Sequence, residues 1–246
     1  MEEFKEHKIE WNDEKVGRLW NYYSKTHPYN SNYFSQGSGG HVVKLFKNNS
    51  EQIFNPLIVD FGGGKGFMFE HCKEELKDFR YYNLDFSKDS TIAAKQRLKH
   101  HEEFVDSIYI EALPTSLEDS SVDIVFLIEV LEHLNDEYLK STLTEIQRIL
   151  KPGGKLVLTT PNNEDLELSN NFCPDCGSIY HKWQHVKSIN KNSIRDILTS
   201  FHYIDIKVFE KNLTKEKNYF IRVLKFIKYT LKKQKYVNLI CIASKK

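Results

Sequence analysis

Long apolar runs are missing from this sequence. None approaches the ~20 residues that a membrane-spanning helix requires, and the charged stretch Met1–Glu10 lacks the apolar core of a signal peptide. Cysteine is scarce: Cys72, Cys173, Cys176 and Cys241 are too few and too unevenly placed for a disulfide framework. Internal repeats and low-complexity tracts are absent as well. These absences argue against a fibrous, membrane-spanning or disulfide-stapled chain. The expectation is a cytoplasmic protein with reduced thiols.

What is present suits one generous domain of 246 residues: 40% apolar and 13% aromatic content supply a core, and 28% charged residues supply a surface. The net charge of +1 conceals an asymmetry. From Lys211 to Lys246 eleven Lys/Arg face a single acid, Glu216, which leaves about −9 on the rest of the chain. Within that tail, 218–237 reads as a basic amphipathic helix. Phe220, Leu224, Ile227 and Leu231 form one stripe, and Arg222, Lys225, Lys228 and Lys232 another. Three readings stand: peripheral contact with an anionic (inner) membrane face, a grip on nucleic-acid phosphates, or packing on the domain with the lysines in water.

Residues 1–50 read as a helical prologue, with a polar, aromatic loop from His27 to Gly40 and a short helix ending near Lys47. From Leu57 short apolar runs alternate with helical segments, the pattern of a mostly parallel sheet covered on two faces. Strands are expected at Leu57–Phe61, Tyr81–Leu84, Ser107–Ile110, Val122–Ile128 and Lys155–Thr160, with Ile204–Phe209 and Val237–Ala243 closing the sheet. Helices are expected over Gly66–Leu76, Asp89–His101, Asn135–Leu150 and Ser193–Ser200, the third stopped by Lys151-Pro152-Gly153-Gly154.

In open α/β sheets ligands bind beyond the carboxyl ends of the strands, near the switch point in strand order. The first four strands deliver Asp60 with a glycine loop, Asp85, Glu111 and Glu129 to that rim. The loop has glycines at 62, 64 and 66. A dinucleotide fingerprint requires glycine where Phe67 stands, and a Walker loop requires Ser or Thr where Gly66 follows Lys65. The free N–H groups beyond such a loop suit a carboxylate, and Asp60 complements a nearby ammonium. Asp85, 19 residues past Gly66, has the spacing of an acid on a ribose diol; its plainer role is to precede the cap of a helix. Glu111, with Ala112 and Leu113, is the candidate for an adenine amino group, although a surface glutamate also fits.

The ordered blocks V-D-F-G-G-G-K-G, N-L-D-F-S, E-A-L, S-V-D-I-V-F-L-I-E-V-L-E-H-L and L-K-P-G-G-K-L-V-L-T-T-P-N resemble class I S-adenosylmethionine-dependent methyltransferases over roughly residues 56–210. The resemblance implies a doubly wound, Rossmann-like α/β sheet of seven strands, the last antiparallel, with the N-terminal helices as a lid. It implies S-adenosylmethionine as cofactor, held by Asp60, Gly62, Gly64, Gly66, Asp85, Phe86, Glu111, Ala112, Leu113 and Glu129. Two departures fall in the adenine pocket: Glu111 replaces the family's usual Asp, and Thr115-Ser116-Leu117 replaces an L-P-F turn. The E-V-L-E-H-L block is similar to the O-methylating branch, and the paired prolines of N-methylating relatives are absent. The domain reading is a lid over 1–50 and a methyltransferase domain over 51–246, with a Cys/His insertion at 161–190 and the basic helix at 215–236.

Methyl transfer to a hydroxyl benefits from proton removal, for which His133 is the candidate base; the alternative is that Glu132 and His133 only begin a helix. Cys173, Cys176, His181 and His185 spell C-x₂-C-x₄-H-x₃-H, the spacing of a candidate tetrahedral zinc site; a reduced C-x₂-C turn is the simpler reading. The leading expectation is O-methylation of a small molecule, glycan or lipid-linked precursor by a monomer or homodimer. A second is RNA 2′-O-methylation, since Glu129, Glu132 and His133 with His185 resemble the E-x-x-E-H metal set of small-RNA 2′-O-methyltransferases, which implies a divalent ion there. A third is a non-catalytic cofactor-binding scaffold.

Overall fold

A computed structural model describes residues 4–31, 33–213 and 237–246. A two-residue strand, β1 (His7–Lys8), and the helices α1 (Asp13–Lys25) and α2 (Phe34–Asn49) come first. The alternating region follows as β2 (Leu57–Phe61), α3 (Met68–Glu75), β3 (Arg80–Asp85), α4 (Lys88–Leu98), β4 (Phe104–Tyr109), β5 (Val122–Ile128), α5 (Asp136–Ile149) and β6 (Leu150–Pro161). An insertion carries the short strands β7 (Asn170–Phe172) and β8 (Ser178–His181), before α6 (Lys191–Ser200), β9 (Tyr203–Lys211) and β10 (Asn238–Lys245).

Seven strands form the main sheet in the order β4-β3-β2-β5-β6-β10-β9. The pairs among β4, β3, β2, β5 and β6 are parallel, and β10 runs antiparallel to β6 and β9. The expected doubly wound sheet with an antiparallel last strand is therefore present. Its switch point lies where β2 pairs with β3 on one side and β5 on the other. Crossover helices cover both faces because β2 is buried along its whole length and β5 is nearly so. One core gathers Leu139, Leu143 and Ile146 of α5 with Ile194 and Leu198 of α6. The other gathers Val42, Val43 and Phe46 of α2 with Met68 and Phe69 of α3 and Phe126 of β5.

Local chemistry sets the helix starts. Asn135 accepts from the Tyr138 amide at 2.8 Å, Ser87 caps α4, and Asn190 forms a capping box with Ser193. Several boundaries depart from the sequence reading. The segment expected as a loop up to Gly40 is already helical from Phe34. Its glycines serve close packing: a Cβ on Gly39 would lie 2.7 Å from Met68 Sδ. Lys151–Gly154 is a bulge inside β6 rather than a loop, since Val122 pairs with Leu150 and Ile124 with Lys155. The third strand starts three residues early, at Phe104, and α3 begins at Met68 rather than Gly66.

A second sheet, in the order β1-β8-β7, was not anticipated. It carries the N-terminal strand onto the insertion. The prologue is accordingly divided: α2 belongs to the core, while β1, α1 and the Tyr29 turn lie against the insertion. The basic helix read at 218–237 lies outside the described residues, apart from Val237.

Candidate active site

The floor is built by the ends of β2 and β3. After Phe61 the chain turns back on β3, where the amides of Gly62 and Gly63 donate to Leu84 O at 2.8 and 3.0 Å. Gly62 has φ +76°, and a Cβ there would lie 2.6 Å from Val130 Cγ2. Gly63, absent from the sequence reading, is equally constrained: a Cβ would lie 2.5 Å from Asp60 Oδ2. The three-glycine run was the signal for it. Asn83 Nδ2 donates to Gly64 O at 3.1 Å and completes the support.

Asp85 accepts from the Gly64 amide and from the Ser87 amide, each at 2.8 Å. It therefore clamps the loop and positions the Ser87 cap together, and its carboxyl pKa is raised by burial. Asp60 sits deeper, 1% exposed, and its Oδ2 accepts from Tyr81 Oη at 2.7 Å. Burial pushes its pKa up to about 7. Its Oδ2 braces the loop from beneath, and its buried Oδ1 has no hydrogen-bond partner. Phe86 is 45% exposed at the rim, Glu111 and Ala112 are exposed, and Leu113 is half-buried against the core.

The rim continues at the end of β5. Glu129 takes φ +53°, its amide donates to Thr159 O and Thr159 Oγ1, and its buried Oε1 has no partner. Burial raises its pKa to about 7. Glu132 is 1% exposed; its Oε2 accepts from Thr160 Oγ1 at 3.0 Å and its Oε1 has no partner. His133 is held near a pKa of about 3 by burial and by His185. It is neutral at pH 7 and a weak proton acceptor.

The roof comes from α1 and the insertion. Trp20 meets the His133 ring at 5.1 Å, and its Nε1–H donates to Gln184 Oε1 at 3.1 Å; Gln184 Nε2 donates to His133 O at 2.9 Å. Tyr23 stacks on Tyr29 at 4.4 Å, both meet Trp183 at 5.5 Å, and the Tyr23 hydroxyl donates to Lys182 O. Lys65, inside the glycine loop, donates to Ser24 O and Asn30 O at 3.4 Å, while Tyr33 lies 5.2 Å from the Phe67 ring. The aromatic prologue thus reaches the loop and the histidines at once.

The four residues of the expected zinc site are not brought together. Ligand atoms of Glu132, His133 and His185 lie within 4.8 Å of one another, as do those of Glu164, His181 and His185; neither group includes a cysteine. The extended β8 carries His181 away from the Cys173–Cys176 turn. Its tautomer also opposes ligation. His181 Nδ1 accepts from the amides of Trp183 and His185, which places the proton on Nε2, toward Glu164 at 3.6 Å. Glu164, absent from the sequence reading, also holds His185 Nδ1 at 2.5 Å.

A glycine loop, an acid on the next strand and a further acid across the switch point stand where open α/β sheets bind their ligands. Residues 59–158 match the family model described as a methyltransferase domain. The chain is 31% identical over 153 residues to malonyl-[acyl-carrier protein] O-methyltransferase 1 of Coxiella burnetii, covering 61% of this chain and 48% of that protein. It is 30% identical over 172 residues to an uncharacterised protein of Methanocaldococcus jannaschii, covering 69% and 66%. It thus spans less than two thirds of the length of these curated relatives. Among solved structures, a Haloferax volcanii methyltransferase partnered with the activator Trm112 superposes with a TM-score of 0.64 at 16% identity, covering 94% of this chain and 95% of that one. A phosphoethanolamine N-methyltransferase of Haemonchus contortus with S-adenosylmethionine gives 0.61 at 17% identity, covering 94% and 57%. Residues 59–158 thus match a methyltransferase domain, on a fold shared with solved S-adenosylmethionine-dependent methyltransferases.

The site fits the cofactor. The turn leaves no room for a Cβ at Gly62, Gly63 or Gly66, and the unpartnered Glu129 Oε1 presents an acceptor across the switch point.

Proposed function

We propose that this chain transfers the methyl group of S-adenosylmethionine to a hydroxyl of a small molecule, glycan or lipid-linked precursor. In this reading Gly62, Gly64 and Gly66 bring the backbone close to the cofactor. Asp85 faces the ribose, Phe86 and the 111–113 segment flank the adenine, and Glu129 faces the amino-acid end. The cofactor supplies a methyl group on a good leaving group. The protein's work is to align the acceptor and exclude water.

The observation that supports an oxygen acceptor is the imidazole pair. His133 and His185 are in ring contact at 4.8 Å, one short turn past Glu129, and Trp20 closes over the first of them. His133 is the candidate base: its buried Nδ1 has no hydrogen-bond partner and can accept from an acceptor hydroxyl, although its lowered pKa makes it better at orienting that hydroxyl than at holding the proton. The name of the Coxiella burnetii relative, an O-methyltransferase, agrees in kind.

A second reading, RNA 2′-O-methylation assisted by a divalent ion, is favoured by the convergence of Glu132, His133 and His185. A labelled-methyl assay against cell extract, fractionated into metabolites, glycolipids and RNA, separates the two. Label in the first two fractions supports the leading reading, and label confined to RNA overturns it. Tight cofactor binding with label nowhere favours a non-catalytic scaffold.

A further inference from the structure

Three acids are buried among the described residues: Asp60, Glu132 and Glu145. Asp60 and Glu132 belong to the floor and the rim. Glu145 lies on α5, 3% exposed, and the methyl transfer has no use for it. A carboxylate is costly to bury unless charged and polar partners surround it. Its partners come from its own helix and from the turn that leads away from the 111–113 segment.

Both oxygens are engaged. Oε1 accepts from the Thr115 amide at 2.9 Å and from the Thr115 hydroxyl at 2.5 Å. Arg148, one turn along α5, spans the carboxylate: Nε donates to Oε2 at 2.8 Å and Nη2 to Oε1 at 2.7 Å. The same Nη2 donates to Thr115 O at 3.2 Å, and Nη1 reaches Asp119 Oδ1 at 2.5 Å. The ion pair therefore takes the amide, the carbonyl and the hydroxyl of one residue. A forked Arg–carboxylate pair is planar and fixed in direction, and α5 is anchored in the core by Leu139, Leu143 and Ile146.

The segment is held at its other end as well. Ile110 N–H donates to Asp85 O at 2.9 Å, which ties it to the end of β3. Glu111, Ala112 and Leu113 thus form a three-residue span between two fixed points, with Leu113 packed on the core. This is also where the chain departs from the pattern of the family it resembles.

We propose that Glu145 and Arg148 are positioning residues that set the cofactor's base specificity, by holding Thr115 and with it the 111–113 backbone. The inference rests on the S-adenosylmethionine reading above and is independent of the acceptor. Adenine has a donor at its 6-amino group and an acceptor at N1, whereas hypoxanthine has the reverse. A span held in place offers its carbonyls and amides in one order, so the reversed base leaves them unpaired. A loose span would rearrange and accept both.

Calorimetric titration of the full chain with S-adenosylhomocysteine and with S-inosylhomocysteine tests this through the ratio of the two affinities. Wild type should favour the adenosyl form by about tenfold or more. Glu145→Gln should weaken that form by about tenfold and bring the ratio below about threefold. Arg148→Lys, which keeps the charge without the fork, should fall between. Thr115→Val removes only the hydroxyl bond and should lower the ratio by about threefold; it decides the matter should Glu145→Gln fail to fold. A merely structural role would weaken both ligands equally. An unchanged ratio in the folded variants, or a wild type that binds the two ligands alike, overturns the assignment and leaves the cofactor reading standing. A wild type that binds neither ligand overturns both.

Discussion

The floor and the roof of this site are built on opposite plans. The floor hangs on the sheet: the ends of β2 and β3, a glycine loop, and acids held from that sheet, Asp85 by the Gly64 and Ser87 amides and Asp60 by the Tyr81 hydroxyl. The roof is side chain, assembled from α1 near the N-terminus and an insertion more than 100 residues away, through contacts such as Trp20 with Gln184 and Tyr23 with Trp183. The floor is over-determined by the sheet that supports it, whereas each roof contact depends on two segments arriving together. The difference separates the cofactor's half of the site from the acceptor's half.

The largest effect should come from breaking the floor. Asp85→Ala removes the acceptor of two amide hydrogen bonds and the proposed ribose contact. S-adenosylmethionine affinity should fall on the order of 100-fold, given ~1.5–3 kcal/mol for each bond to a charged group. Calorimetric titration checks it, and a loss under threefold would remove Asp85 from the floor. A roof change should do the converse. Glu164→Gln weakens the hold on His185 and should cut methyl transfer by ~10- to 100-fold while leaving cofactor affinity within about threefold. Equal losses in both quantities would erase the distinction between the halves.

The smallest effect is a pH dependence seated in the roof. Folding lowers the pKa of His133 from its ordinary 6.5 to about 3. The unfolded chain therefore binds the extra proton between those values, and stability falls as pH drops from 6.5 toward 3. Glu129, raised from 4.5 to about 7, acts in the opposite sense: its contribution is full below pH 4.5 and is lost as pH rises through 7. His133→Asn should remove the first slope and leave the second. The melting temperature of the variant relative to wild type should then rise on going from pH 7 to pH 5. A pH-independent difference would show that His133 is not sealed as described.

The same contrast explains what could be read before folding. Strand alternation, the glycine spacing and the acid at 85 are local patterns, and the seven-stranded sheet with its antiparallel last strand was implied by the family they resemble. Gly63 stood in the glycine run without a role of its own because motif spacing counts alternate glycines, while close approach by Asp60 demands the middle one. Glu164, Gln184 and Trp20 were invisible because nothing in a linear chain announces a contact across 164 residues. The C-x₂-C-x₄-H-x₃-H spacing misled for a physical reason: linear proximity of Cys and His does not survive an extended strand between them. His7, far away in sequence, reaches the insertion through three-stranded pairing that no periodicity signals in a two-residue strand.

The hairpin of β9 and β10 has a further consequence. Asn238 pairs with Lys211 on one side and Pro161 on the other, and Asn212 and Asn238 cross-bond with the Val237 and Leu213 amides. Whatever lies between 213 and 237 therefore leaves and re-enters the fold at a single bracket, immediately beyond the threonines that hold Glu129 and Glu132. A segment mounted in this way is a cassette: a change in its length or charge need not shift a strand. In this chain the cassette brings eight Lys/Arg, and the bracket fixes where their tether points sit: on the rim itself.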